Sequence, residues 1–228
     1  MRHHYAKFEA DYVDGTIDWS QRGAVTAVQD GGSCGSCWAH AAVGAMEGSH
    51  FIKTGELLQL ATQQLIDCDS FNFGCDGGFM TSAFEYAQTE RIMLEADYPY
   101  VGMTDGQCHQ DPDLAKVHTT RYINVLPNNP EQLKIAVTMG PVVAAVATSD
   151  PVFLFYQSGV ISSENCGVMV DCAVTIVGFG EDAQKQQFWI VKNSWGESWG
   201  EHGYGKIAIS EGMGVCGINS QATIPFTD

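Results

Sequence analysis

The feature that most constrains this chain is a change of periodicity near residue 140. Before it, apolar residues recur at helical spacing. From Ser36 to Thr54, Trp38, Ala41, Ala42, Ala45 and Met46 share a face, and Gly55 follows as a stop. Gly44 and Gly48 inside that stretch predict a close approach by another element, at some cost in helix propensity. Thr62 is read as the cap of a short helix ending near Cys68, and Phe79 to Glu90 as a third helix. Asn129-Pro130-Glu131 combines a cap, a first-turn proline and an acidic first turn, opening a helix that stops at Gly140. After Pro141 the pattern becomes short β-rich runs: Val142–Ala147, Ala173–Gly178, Phe188–Lys192 and Tyr204–Ile209. Helices first and strands afterwards predict an α+β protein with segregated lobes and a boundary near Asn124, not an alternating βαβ fold.

Charge narrows the partners. Eleven Lys and Arg against 27 Asp and Glu leave a net charge of −16. A field of that sign repels phosphate backbones and anionic bilayers, so neither nucleic acid nor membrane is expected as a partner. No apolar run approaches the roughly 20 residues a spanning helix requires. The N-terminus has no secretory apolar segment, and residues 1–14 are expected to be an N-terminal extension, a pro-segment or a tag remnant. Eight cysteines at wide spacings suggest disulfides and an oxidising compartment, without fixing connectivity. No repeated Cys/His spacing points to structural zinc, and no metal or other cofactor is expected.

Cys34-Gly35-Ser36-Cys37-Trp38 opens the first helix. A bare C-x-x-C also suits a thioredoxin motif, but that wants a preceding strand in a βαβ setting, and here Gly31-Gly32-Ser33 makes a loop. At a helix N-terminus a thiolate is favoured by free N–H groups and the macrodipole, so Cys37 stands where a nucleophile belongs. The bland alternative is a buried inert thiol. Three ordered blocks then bear on the choice: Asp18-Trp19 … Gly23-Ala24-Val25-Thr26 … Cys34-Gly35-Ser36-Cys37-Trp38-Ala39; Gly74-Cys75-Asp76-Gly77-Gly78; and Lys192-Asn193-Ser194-Trp195-Gly196 … Trp199-Gly200 … Gly203-Tyr204. Together they resemble the papain family of cysteine peptidases over residues 17–226.

The resemblance implies one papain-like domain over 15–228. It has a helical left lobe (about 22–123 plus the C-terminal tail) and a β-barrel-like right lobe (about 15–21 and 124–223), with a cleft between them. It implies disulfides Cys34–Cys75, Cys68–Cys108 and Cys166–Cys216, a nucleophile at Cys37, and an orienting Asn193 covered by Trp195. Three positions depart from the family pattern. The histidine of the Val-Asp-His-Ala-Val context is Cys172, within Val170-Asp171-Cys172-Ala173-Val174. The glutamine that donates to the oxyanion is replaced at Gly31, and such a donor is typically worth ~10²–10³ in rate. His40 stands where phenylalanine is usual, roughly on the face of Cys37; it is read either as a core histidine or as a replacement base or metal ligand.

Amide hydrolysis needs a thiolate to attack and an acid to protonate the leaving amine. Cys172, with an ordinary thiol pKa of ~8.5, serves poorly as that acid. Peptidase activity is therefore expected to be very low. Cys37 and Cys172 could form a fourth disulfide, remain a free redox-sensitive pair, or bind a soft metal with His40. Gly77 and Gly78 would still offer backbone hydrogen bonds to an extended peptide. Phe79, Met80, Ala145, Val170 and Ala173, with Asp171 alongside and Gln221 at the floor, match positions lining the family's apolar specificity pocket; alternatively they only pack the lobe interface. The expected function is a monomeric, secreted or lysosomal/vacuolar non-peptidase that binds a peptide or small molecule in the cleft. The alternatives are a repurposed enzyme using Cys37 on a small molecule, a weak residual peptidase, and a redox-regulated structural protein.

Overall fold

Glycine sets both the end of the longest helix and what can lie against it. In the computed structural model, which describes residues 5–8, 15–104, 106–162 and 166–228, helix α1 (Cys37–Thr54) ends at Gly55. That residue has a left-handed φ of 80°, and its N–H closes onto Phe51 O. A Cβ on Gly44 would press on Thr175, and one on Gly48 would overlap the ring of Pro141. The sheet thus approaches α1 more closely than side chains at those positions would permit.

The other helices follow the sequence signals with one correction. Thr62 does not cap α2 (Thr62–Cys68): it is the first helical residue and is buried, while Ala61 holds the extended cap conformation. Helix α3 (Met80–Thr89) is flanked by extended Phe79 and Glu90. In α4 (Pro130–Met139) the Asn129 side chain accepts from the Gln132 N–H, Pro130 fills the first turn, and Gly140 ends the helix as expected. A short α5 (Pro151–Leu154), capped by Asp150, was not expected.

Among the described residues nine strands form one sheet: β1 (Tyr5–Ala6), β2 (Ile17–Asp18), β3 (Thr119–Val125), β4 (Val142–Val146), β5 (Val160–Ile161), β6 (Cys172–Glu181), β7 (Gln187–Lys192), β8 (Tyr204–Ala208) and β9 (Ala222–Thr227). The order is β1-β3-β9-β4-β6-β7-β8-β5, with β2 beside β6. Only β1·β3 and β5·β8 are parallel among the described pairs. The right lobe, expected to be barrel-like, is not a closed barrel: among the described residues the path ends at β1 and β5 without a pairing that joins them. Asn124, the expected boundary, falls inside β3. Beside β2, a Cβ on Gly178 would collide with Ile17 O, so that position lets the short strand lie across β6 at a bulge.

Two large apolar cores result, with a third, small cluster of Ala61, Met93 and Tyr98. One gathers Trp38, Met46, Leu65 and Phe84 around α1. The other gathers Phe153, Ile176, Trp189 and Ile207 around the sheet and α4. Strands β4 and β6 serve both, since Val143, Ala145 and Ala173 pack with the helices while Val142, Ala144 and Val174 pack on the other side. The period-2 alternation of a strand produces that division. It also brings the start of β6 against the start of α1.

Candidate active site

Cys37 is the first residue of α1 and Cys172 the first of β6, where it pairs with Val146 of β4. Their sulfurs are joined in a disulfide, with Cα atoms 6.0 Å apart. Of the three arrangements open to this pair, the bonded one occurs. It leaves neither thiol free to ligate a metal with His40. The bridges implied by the family resemblance form as well: Cys34–Cys75, Cys68–Cys108 and Cys166–Cys216, with Cα separations of 4.6, 4.8 and 5.0 Å. No cysteine is free. Ala173 N–H points at Cys37 Sγ from 3.4 Å.

Around this bridge lies a groove of ≈ 190 Å³. Gly77, Gly78, Phe79 and Met80 form its wall on the helical side. Ala145, Val170, Asp171, Ala173 and Gln221 form the opposite wall. A hydrogen-bonded scaffold fixes the first wall: Phe79 N–H donates to Asn72 Oδ1 at 2.7 Å, Asn72 Nδ2 donates to Asp69 at 2.7 Å, and Trp38 Nε1 donates to Gly74 O at 3.0 Å. Gly78 must lack a side chain, because a Cβ there would meet both Asn72 and Trp38. Phe79 is 62% exposed and presents its ring to solvent at the groove edge. On the second wall, Asp171 Oδ1 accepts from Thr148 N–H and Oγ1, both at 2.7 Å, and Oδ2 accepts from Ser149 N–H. Burial pushes the Asp171 carboxyl up, but the hydrogen bonds from Ser149 and Thr148 outweigh it and hold the group below its usual range.

Gly31, His40, Asn193 and Trp195 are not part of that groove. Gly31 N–H donates to Ser194 O, and Gly31 O accepts from Tyr100. Trp195 packs edge-on against Phe153 and Trp199. His40 and Asn193 line a small interior cavity of ≈ 20 Å³ behind α1, together with Thr26, Glu47 and Lys192. Here His40 Nδ1 lies 3.4 Å from Thr62 Oγ1, and the ring stands 4.8 Å from that of Tyr100. His40 Nε2 and Asn193 Nδ2 are buried without a hydrogen-bond partner, although Asn193 Oδ1 accepts from Ser194 N–H at 2.8 Å. Desolvation, with the nearby Lys192 charge adding to it, lowers the His40 pKa to about 4, so the imidazole is neutral near pH 7.

The polar cluster in this cavity gave no sequence signal. Lys192 Nζ donates to Thr26 Oγ1 at 3.0 Å, and the Thr26 hydroxyl donates to Glu47 Oε2 at 2.6 Å. Leu60 N–H supplies Glu47 Oε1 at 2.8 Å. Burial pushes the Glu47 pKa up and the Lys192 pKa down. Residues 26, 47 and 192 lie far apart in the chain, and only tertiary packing brings them together.

Residues 13–226 match the model described as papain family cysteine protease. The senescence-specific cysteine protease SAG12 of Arabidopsis thaliana is 42% identical over 214 residues, covering 92% of this chain and 61% of its own length. Cathepsin L of Sarcophaga peregrina is 41% identical over 218 residues, covering 93% of this chain and 64% of its own. The chain spans about half to three fifths of the length of the first curated relatives it matches. Among solved structures, the bromelain protease from Ananas comosus in complex with the E64 inhibitor superposes with a TM-score of 0.87 at 37% identity, covering 94% of this chain and 99% of that one. With the match running the length of the fold, and through both elements that meet at the groove, the chain belongs to the papain family of cysteine proteases.

Proposed function

We propose that this chain is a papain-family protein without peptidase activity that holds a peptide or small apolar ligand in the groove. The observation that carries this reading is the Cys37–Cys172 disulfide, which removes the nucleophile from chemistry. A peptidase of this type attacks with a thiolate, and a sulfur committed to a disulfide has no thiolate to offer. Reduction would not supply what is missing, because the group opposite Cys37 is then a thiol, a poor proton donor to a leaving amine. The apolar wall formed by Met80, Ala145, Val170 and Ala173, beside Gly77 and Gly78, suits an extended peptide with one apolar side chain. The four disulfides fit an oxidising compartment, and we assign the protein to a secreted or lysosomal/vacuolar setting as a monomer.

The test is hydrolysis of a fluorogenic blocked dipeptide with an apolar penultimate residue. Native protein, oxidised or mildly reduced, is expected to show no turnover above a Cys37→Ala control. The double variant Cys172→His with Gly31→Gln is expected to gain hydrolysis that E64 blocks. At Gly31 a Cβ would lie 3.1 Å from Ser36 Oγ, a tight contact that rotation of the serine hydroxyl has to relieve. Native turnover that disappears in Cys37→Ala would sink the non-peptidase reading. For the ligand half, a labelled blocked peptide carrying leucine should bind saturably by anisotropy, and absence of saturable binding would remove that half.

A further inference from the structure

The two sulfurs of the Cys37–Cys172 bridge have unequal surroundings. Cys37 is only 9% exposed, lies under the first turn of α1, and has the Ala173 N–H directed at its sulfur. Cys172 is partly exposed, at the groove wall beside solvent-facing Asp171. In thiol–disulfide exchange a thiolate attacks one sulfur and expels the other. The rate rises with access to the attacked sulfur and with the stability of the departing thiolate. Both criteria select one direction here. Access favours attack at Cys172. Departure favours Cys37, whose anion would sit in the first turn of an 18-residue helix, with the Ala173 N–H directed at it.

We propose that Cys172 is a thiolation site, at which a thiol-bearing peptide or small thiol of neutral or positive charge exchanges into the Cys37–Cys172 bridge from the groove. The incoming thiol loses its proton to solvent, and its sulfur bonds to Cys172 Sγ. The Cys37–Cys172 bond breaks, and its electron pair leaves with Cys37 as thiolate. The step consumes no outside oxidant or reductant, since one disulfide replaces another. Preference by charge follows from the site. Asp171 precedes Cys172, its carboxylate fixed by Thr148 and Ser149, in a chain of net charge −16. At low ionic strength an exposed neighbouring charge of this kind changes the rate by roughly fivefold between a cationic and an anionic thiol. The proposal rests on the bridge being closed in the native protein, and it stands or falls independently of peptidase activity.

The experiment uses native protein and limiting cysteamine, sampled into N-ethylmaleimide and digested without reduction for mass mapping. Cysteamine is expected on Cys172 and maleimide on Cys37, with the reverse pattern roughly tenfold rarer. Released Cys37 can attack the adduct and restore the bridge. The series is therefore repeated with excess thiol, where loss of the bridge itself is timed. Per thiolate, cysteamine should open it roughly fivefold faster than anionic glutathione at low salt, with the gap closing as salt is added. Adducts on Cys37, or a bridge that stays closed until the protein is denatured, would overturn the proposal. Equal rates for the two thiols at low salt would overturn its charge selection.

Discussion

The two sides of α1 manage polarity in opposite ways, although Cys37 and His40 are only three residues apart. On the groove side the side chains that brace the walls have partners: Asn72 with Asp69 and Phe79, Asp171 with Thr148 and Ser149, and the Cys37 sulfur with a second sulfur. On the cavity side His40 Nε2 and Asn193 Nδ2 go without, and Glu47 and Lys192 are buried with one hydroxyl between them. A buried unpaired donor or acceptor costs about 1–3 kcal/mol. The groove face is closed by a disulfide, while behind it Asn193 is hydrogen-bonded at Oδ1 by Ser194 N–H and unpaired at Nδ2.

This contrast can be broken from either side. The largest effect is expected from Cys37→Ala with Cys172→Ala. The bridge closes a separation of 135 residues, which the other disulfides shorten, and its loss should cost about 4 kcal/mol in urea unfolding. A loss below ~1 kcal/mol would mean that packing, not the bond, holds the groove closed. Next is pH. The His40 pKa lies at about 4 in the folded chain against 6.5 for the free side chain. As pH falls from 6.5 to about 4 the unfolded chain takes up a proton that the folded chain refuses, so stability falls on acidification. The full effect is roughly 3 kcal/mol, and His40→Phe should remove that part of the slope. An unchanged slope would assign the acid sensitivity to groups other than His40. The smallest effect, about 2 kcal/mol, is expected for Thr26→Val, which strips the hydroxyl that separates Glu47 from Lys192. A neutral result would show that the two charges settle directly on one another.

The helices were legible where a stop or a cap is spelled out locally, as at Gly55 and Asn129. Strands β4, β6, β7 and β8 were legible as β-rich runs, although β6 extends to Cys172–Glu181, beyond the expected Ala173–Gly178. Strands β3 and β9 were not. The Thr119–Val125 run is short, with exposed Thr120 and Arg121 near its start, and Pro225, which faces Tyr122 in the pairing with β3, argues against a strand over Ala222–Thr227. Thr62 was misassigned because threonine serves both as a cap and as a first-turn residue, and only the dihedral angles of Ala61 decide between them. At the site, Cys37, Gly77 and Gly78 were readable because the motif blocks carry them, and Phe79, Met80, Ala145, Val170 and Gln221 only through the family resemblance. The cavity cluster was invisible, since no local pattern relates residues 26, 40, 47 and 192.

The bridges also make the molecule one connected object. Cys34–Cys75 and Cys68–Cys108 overlap and tie up residues 34–108, while Cys166–Cys216 ties up residues 166–216. Without Cys37–Cys172, only the intervening stretch of backbone holds these two covalent islands together. With it, a protease that nicks any one peptide bond between Cys108 and Cys166 leaves both fragments attached. Such a nicked chain would migrate whole on a non-reducing gel and fall into two pieces once the sulfurs are parted.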